Sequence, residues 1–340
     1  MKFVHMADMH LDAPFITLAD KQEFCKERRI EQREILKKII NYIKENNILY
    51  FFISGDLYEH KSIRQSTIEY VNSLFKEIPN TQIFISPGNH DPYLKNSFYN
   101  TFNWNNNVTI FKGNLNKISF ADTDIYGYGF TDFYSNRVNF SDINLDKNKI
   151  NILVIHGSLD ASDSMQMQYN PISSKELENI GFDYVALGHI HKRNCSEIEK
   201  NKRIIYPGST NSLGFDELGE HGMIVGNVNK ESISLQFVKL DPKIFKEMEI
   251  DISQINSEDD LVQKINEMNF EENKYYKIIL TGKRKFEINL NELSKITTYE
   301  KIVKIKNLTK PDFDIGNIAK QTTLTRNVCK RNIRTNKPRT

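Results

Sequence analysis

The chain has 340 residues, 39% hydrophobic and 26% charged, enough for one large domain and a smaller one around buried cores. A net charge of +2 does not mark the whole protein as a nucleic-acid binder, but residues 301–340 hold 11 Lys/Arg against 2 Asp/Glu, so a mildly acidic body carries a basic tail. Three scattered cysteines (Cys25, Cys195, Cys329) argue against a disulfide framework or a Cys-rich zinc site, and no apolar stretch approaches 18 residues. A reducing, cytoplasmic setting without a membrane span is expected.

Residues 2–7 read as a strand that reaches Asp8 too early for a signal peptide. A long helix is expected over 19–46, with Phe24, Ile35, Ile39 and Ile43 on one face. Leu49 to Ser54 is a nearly continuous apolar run, the pattern of a strand buried on both faces. A helix over 63–78 and a strand over Gln82–Ser86 follow, the latter closed by Pro87-Gly88. Shorter strands are expected at Val108–Phe111, Lys117–Phe120 and Ile125–Phe130. Ile150–Ile155 and Tyr184–Leu187 are compact apolar strands, separated by a helix starting near Ser173 or Ser174. Alternating strands and helices, then strands in succession, predict an α/β sandwich with a mixed sheet. We expect this domain to span 1–240.

Residues 241–310 then show the pattern of a small α+β unit. Strands are expected at Phe245–Ile252, Tyr275–Thr281 and Ile302–Ile305, with helices near 258–268 and 289–295. Residues 311–340 form the basic tail, which after Thr325 has no acid and no periodicity and reads as disordered.

Chemistry concentrates in five short motifs, each at the end of a strand-like run. They are Asp8-Met9-His10, Gly55-Asp56, Gly88-Asn89-His90-Asp91, His156-Gly157 and Gly188-His189-Ile190-His191. A lone histidine at a strand end is usually structural, and Gly-Asp alone is an ordinary turn. Five of the eight histidines falling inside ordered motifs outweighs that reading; His5, His60 and His221 keep it. Asp8, His10, Asp56, Asn89, His156, His189 and His191 give seven ligands, four to each of two ions if Asp56 bridges. Residues two apart in an extended chain share a face, so each Asp-x-His or His-x-His pair is expected to converge on one cluster. Mixed nitrogen and oxygen donors without thiolate suit manganese, iron or zinc. Two such ions roughly 3.5–4 Å apart would clamp an in-line phosphoryl displacement, with metal-activated water as nucleophile. His90 is assigned to charge stabilisation and protonation of the leaving oxygen, with Asp91 orienting it.

These motifs resemble the calcineurin-like metallophosphoesterase superfamily. Finer details are similar to its SbcD-like DNA-repair exonuclease branch, most of all to the YhaO-type proteins. The residues that carry this are His5-Met6-Ala7-Asp8-Met9-His10-Leu11-Asp12-Ala13-Pro14-Phe15, Gly55-Asp56-Leu57-Tyr58 and Tyr184-Val185-Ala186-Leu187-Gly188-His189-Ile190-His191-Lys192. Tyr206-Pro207-Gly208-Ser209 and Phe215-Asp216-Glu217-Leu218-Gly219-Glu220-His221-Gly222 add to them. The resemblance implies a four-layer α/β/β/α sandwich. It implies one ion on Asp8, His10, Asp56 and His191, and a second on Asp56, Asn89, His156 and His189. It further implies manganese-dependent cleavage of DNA phosphodiesters, often by a homodimer partnered with an SMC-like coiled-coil ATPase.

The chain departs from that pattern twice. Archaeal-type relatives carry a second functional histidine three residues after the bridging Asp, where this chain has Glu59, with His60 one step later. Strand selection and nuclease efficiency are therefore open. Asp314 to Lys320 looks like the start of an ATPase-docking segment, but the sequence then turns basic and ends, and a truncation or reading-frame disruption near Thr325 is expected.

The metal motifs name a phosphoester and not its bearer. Lys192, Arg193, Lys200, Lys202 and Arg203 could track a phosphate backbone or simply be a solvated face. Tyr93, Phe98, Tyr99, Phe102 and Trp104 could stack on bases, line a dimer contact or pack in the core. A phosphatase or small-molecule phosphodiesterase on the same centre, or a catalytically impaired DNA-binding subunit, are the alternatives.

Overall fold

The computed structural model describes residues 1–15, 22–162, 168–296 and 301–312. The docking-like segment at Asp314–Lys320 and the tail beyond it lie outside these. The chain divides into two compact units, Met1–Ile244 and the residues from Phe245 onward.

The first unit runs β1 (Lys2–Met6), α1 (Gln22–Glu45), β2 (Tyr50–Ile53), α2 (Gln65–Lys76), β3 (Gln82–Ile85), the short α3 (Phe98–Thr101) and β4 (Val108–Ile110). It continues with β5 (Asn116–Ser119), β6 (Thr123–Tyr128), β7 (Ile150–His156), α4 (Ser174–Ile180), β8 (Tyr184–Gly188) and α5 (Cys195–Glu199). It closes with β9 (Ile204–Ile205), β10 (Gly222–Val228) and β11 (Ile233–Lys239). Two mixed sheets result, with strand orders β11-β10-β1-β2-β3-β4 and β5-β6-β7-β8-β9. Strands β1 to β4 are parallel neighbours, as are β6 to β9.

Alternation along the strands builds the layers. In sheet one, Phe3, Phe52 and Phe84 face inward and meet Ile152, Val154, Tyr184 and Ala186 of sheet two in a shared core. Phe3 lies 4.5 Å from Tyr184 and 5.4 Å from Phe52, centroid to centroid. The alternate residues Val4, Met6, Phe51, Ile53, Ile83 and Ile85 face outward beneath α1 and α2. Ile35, Leu36, Ile39, Ile40 and Ile43 form the apolar stripe of α1, at the spacing a 3.6-residue turn requires. Towards its N-terminus that stripe is continued by Cys25, Arg28 and Gln32, while Phe24 is only half-buried. Leu153, Ile155, Val185 and Leu187 cover the far side of sheet two against Leu177 of α4 and Phe182. The result is an α/β/β/α sandwich.

Helix α4 starts as its sequence suggests, with Ser173 accepting from the Glu176 amide and Gly181 closing it in the left-handed conformation at φ +83°. The aromatic cluster after β3 takes the packing role. Tyr99 is buried, and Tyr93, Phe98, Phe102 and Trp104 lie against the core under α2.

The second unit runs β12 (Ile244–Asp251), α6 (Glu258–Asn266), β13 (Lys274–Thr281), β14 (Lys283–Arg284), α7 (Leu290–Ile296), β15 (Ile302–Asn307) and β16 (Lys310–Pro311). Strands β12, β13 and β15 make one sheet, and Ile250, Leu261, Ile265, Ile278, Leu280 and Leu293 its core. Among the described residues, no helix is long and apolar enough to cross a membrane.

Phe52 is fully buried between the sheets. Phe52→Ala should cost about 3–5 kcal/mol through lost transfer energy and a residual cavity. A guanidinium unfolding curve with an unmoved midpoint would contradict this packing.

Candidate metal centre

All five motifs sit at the C-terminal ends of parallel strands, where such sheets present their ligand-binding loops. Asp8 and His10 follow β1, Asp56 follows β2, and Asn89 and His90 follow β3. His156 ends β7, and His189 and His191 follow β8. The backbone there is not extended, which corrects the strand-spacing expectation. Asp8, His10 and Asp56 adopt the left-handed conformation at φ 52°, 50° and 51°, and His189 has φ 109°. Each such residue costs about 1–2 kcal/mol, so the surroundings must hold it.

Main-chain bonds from one loop to the next supply that hold. Asp8 N donates to Gly55 O (3.1 Å), His10 N to Asp56 O (2.9 Å) and Leu11 N to Leu57 O (2.9 Å). From α1, Gln32 Nε2 donates to Met9 O (3.0 Å) and His10 O (2.9 Å). His189 N donates to both oxygens of Asp8 (3.0 and 3.1 Å), and His90 N to Asp56 Oδ1 (2.8 Å). Gly88 is needed for fit, since a Cβ there would lie 2.3 Å from Asp56 Oδ1.

The seven expected ligands converge. Asp8, His10, Asp56 and His156 are buried, while Asn89, His189 and His191 are half-buried. Ligand atoms of Asp8, His10 and His191 lie within 4.8 Å of one another, as do those of Asp8, Asp56 and His156. Asp56 Oδ2 sits between the two halves, 3.8 Å from His10 Nε2 and 3.4 Å from His156 Nε2. Asn89 Oδ1 lies 3.0 Å from His156 Nε2 and 3.2 Å from His189 Nδ1.

The tautomers show what this cage accepts. His10 Nδ1 donates to Glu59 Oε1 (2.8 Å) and His191 Nδ1 to Glu217 Oε1 (2.6 Å). Each neutral ring then offers a lone pair at Nε2, and these two nitrogens are 3.0 Å apart. His156 Nδ1 donates to Ser54 O (2.9 Å), turning its Nε2 lone pair towards the acceptor oxygens of Asn89 and Asp56. Such contacts require positive charge, either an extra proton or metal ions that displace it. Burial works against a proton on His191, yet the Glu217 hydrogen bond and Asp8 lift its pKa to about 9. Burial also pushes the Asp8 carboxyl up to about 8, despite His191 beside it. Burial opposes ionisation of Asp56 too, but His156 and His10 hold its carboxyl well below the usual range. His189 is lowered to about 3, by burial first and His156 second, so it stays a neutral donor. Once bound ions displace these protons, the carboxylate oxygens and imidazole nitrogens of this cage form a donor set that fits divalent cations.

His90 is expected as the acid, and its side chain is 45% exposed at the edge of this cage. Its orienting partner is Glu59, not Asp91: Glu59 Oε1 and Oε2 lie 3.0 and 3.1 Å from His90 Nδ1. Burial disfavours the imidazolium, but the Glu59 hydrogen bond raises His90 to about 9. Asp91 is fully committed elsewhere. It accepts from the amides of Asp56 (3.0 Å), Leu57 (2.6 Å) and Gly88 (2.7 Å) and from Tyr99 Oη (2.6 Å), pinning the two loops together. Asp91 therefore leaves the list of reacting groups.

His5 belongs to the core, where its Nδ1 meets Tyr184 Oη at 2.8 Å. His60 faces Phe133 at 6.0 Å and joins none of the metal-type groups found among the described residues. In the basic cluster, Arg193 pairs with Glu220 (3.2 Å) over the Phe237 ring, and Arg203 pairs with Asp183 (3.2 Å). The residues that sequence reasoning did not place are Glu59, seen only as a departure, and Glu217, which lay inside a quoted segment without a role.

Residues 1–193 match the calcineurin-like phosphoesterase family, more than half of the chain. The chain is 25% identical over 278 residues to the "Uncharacterized metallophosphoesterase YhaO" of Bacillus subtilis, covering 78% of this chain and 67% of that protein. It is 22% identical over 253 residues to the "DNA double-strand break repair protein Mre11" of Methanopyrus kandleri, covering 65% and 52%. The chain thus spans about two thirds of one relative and half of the other. Because the family match spans more than half of the chain and all five motif loops, the chain belongs to the calcineurin-like phosphoesterases, metal-dependent hydrolases of phosphoester bonds.

Proposed function

We propose that the chain is a two-metal, manganese-dependent nuclease that cleaves DNA phosphodiesters in DNA repair. The observation that carries this reading is the carboxylate-backed, half-exposed imidazole of His90 beside a cage of seven converging donors. A centre whose proton donor opens to solvent can meet a phosphate within a long polymer. Similarity to a double-strand break repair protein supports DNA as that polymer.

Asp8, His10, Asp56 and His191 would hold one ion, and Asp56, Asn89, His156 and His189 the other. Bound there, divalent ions polarise the phosphoryl group and lower the pKa of the attacking water. Glu59 fixes the Nδ1 proton of His90 and leaves Nε2 to protonate the departing oxygen. The pairing of Asp8 with the His189 amide, and of Asp56 with the His90 amide, keeps the two sets of ligands in register.

A phosphatase or small-diester hydrolase is the second reading, favoured by the ion pair that occupies Arg193 beside the His191 loop. Partnership with an SMC-like ATPase and homodimer formation follow from the resemblance, a cytoplasmic location from the scattered cysteines, and all belong to the same proposal.

Manganese-loaded protein should cleave labelled single- or double-stranded DNA and bis-para-nitrophenyl phosphate. Asp56→Asn should abolish both activities and lower the manganese bound per chain. Hydrolysis of the small diester alone would transfer the protein to the second reading. His90→Asn should keep its manganese but lose turnover by roughly 10²–10⁴-fold. Near-normal turnover in that variant would remove His90 from the chemistry.

A further inference from the structure

The segment between β9 and β10 lies beyond residue 193, where the family match ends, yet it returns to the metal centre. Ser209, Thr210, Asn211 and Ser212 are all completely buried. Among them the hydroxyls of Ser209 and Ser212 are held by hydrogen bonds, as buried polar groups require. Ser209 N donates to His191 O at 2.9 Å, and Gly208 adopts φ +77° as the chain turns past His191. A Cβ on Gly208 would lie 2.7 Å from His191 O, so the backbone approach is as close as a glycine allows.

Glu217 completes the return. Its Oε1 accepts from His191 Nδ1 at 2.6 Å, and its Oε2 accepts from Ser209 Oγ (3.2 Å) and Leu213 N (3.1 Å). Its main-chain oxygen accepts from Ser212 Oγ (2.9 Å) and His221 Nε2 (3.0 Å). His221 Nδ1 in turn meets Ser209 Oγ at 2.9 Å. Only 14% of the Glu217 side chain is exposed. The loop therefore grips His191 twice, by its backbone and by its ring.

We propose that Glu217 is a positioning residue for His191, held by a buried hydrogen-bond chain through Ser209 and His221, so that the 209–221 loop completes one metal position. The proposal rests on the two-metal reading above. A carboxylate behind a ligating imidazole fixes its tautomer, orients its ring and raises its basicity, and losing such a partner typically weakens metal binding 10–100-fold. His156, backed by the Ser54 carbonyl, does not depend on this loop, so the effect should fall on one ion only.

The test titrates full-length apo-protein with manganese, following free ion and the bound signal by electron paramagnetic resonance. Wild type should take up two ions with the spectrum of a coupled pair. Glu217→Gln should bind one ion as wild type and the other about 10–100-fold more weakly, giving an isolated-ion spectrum at intermediate loading. Its apo-protein melting temperature should stay at the wild-type value. Ser209→Ala, which leaves the carboxylate in place, should weaken the same ion by a smaller factor. Wild-type isotherms in both variants would overturn the proposal, as would equal weakening of both ions together with a lower melting temperature. If Glu217→Gln does not fold, Ser209→Ala decides, and an unchanged isotherm refutes the role. Failure of the wild type itself to bind a pair would overturn the metal-centre reading, and this inference with it.

Discussion

Two imidazole nitrogens, His10 Nε2 and His191 Nε2, stand 3.0 Å apart while each ring spends its other nitrogen on a carboxylate. A neutral pair cannot hold that contact, and much of the molecule is arranged to make a cation hold it. His10 follows a strand of one sheet and His191 a strand of the other. The sheets must therefore be locked face to face, and the cluster of tilted rings of Phe3, Phe52, Phe84 and Tyr184 does so with apolar surface. His5 adds a polar tie inside that core, its Nδ1 on Tyr184 Oη and its Nε2 3.1 Å from Ser54 Oγ. Ser54 O is also the partner of His156, so the packing of the sandwich reaches the ligands through one residue.

The same constraint explains the strain. Left-handed backbone at Asp8, His10 and Asp56 turns three ligands inward from two loops, and the bonds between those loops hold it in place. Asp91 contributes by accepting two amides of the Asp56 loop and one, Gly88 N, of its own loop after β3. The two halves of the centre are backed differently. His10 and His191 lean on carboxylates, whereas His156 leans on a neutral carbonyl.

Much of this was legible in the sequence. Buried parallel strands such as β2 and β8 announce themselves as apolar runs, and the motifs at their ends mark the ligands. The strands β9, β10 and β11 were not foreseen. Gly222 and Gly226 interrupt β10, and β11 is largely half-exposed, so neither shows a clean apolar run. Convergence of the paired ligands was expected for a reason the backbone does not bear out, because periodicity carries no sign of positive φ. Proximity in sequence favoured Asp91 as the partner of His90; the fold instead brings Glu59 from the neighbouring loop. For the aromatic residues after β3 the sequence left stacking, a dimer contact and core packing open, and the fold realises the core packing.

The account stands on a pair of ions between the two sheets, and anomalous diffraction from a manganese-loaded crystal examines that most directly. Two peaks roughly 3.5–4 Å apart are predicted, with Asp56 between them and His10 and His191 on one peak. A single peak, or manganese bound only elsewhere on the chain, would contradict it.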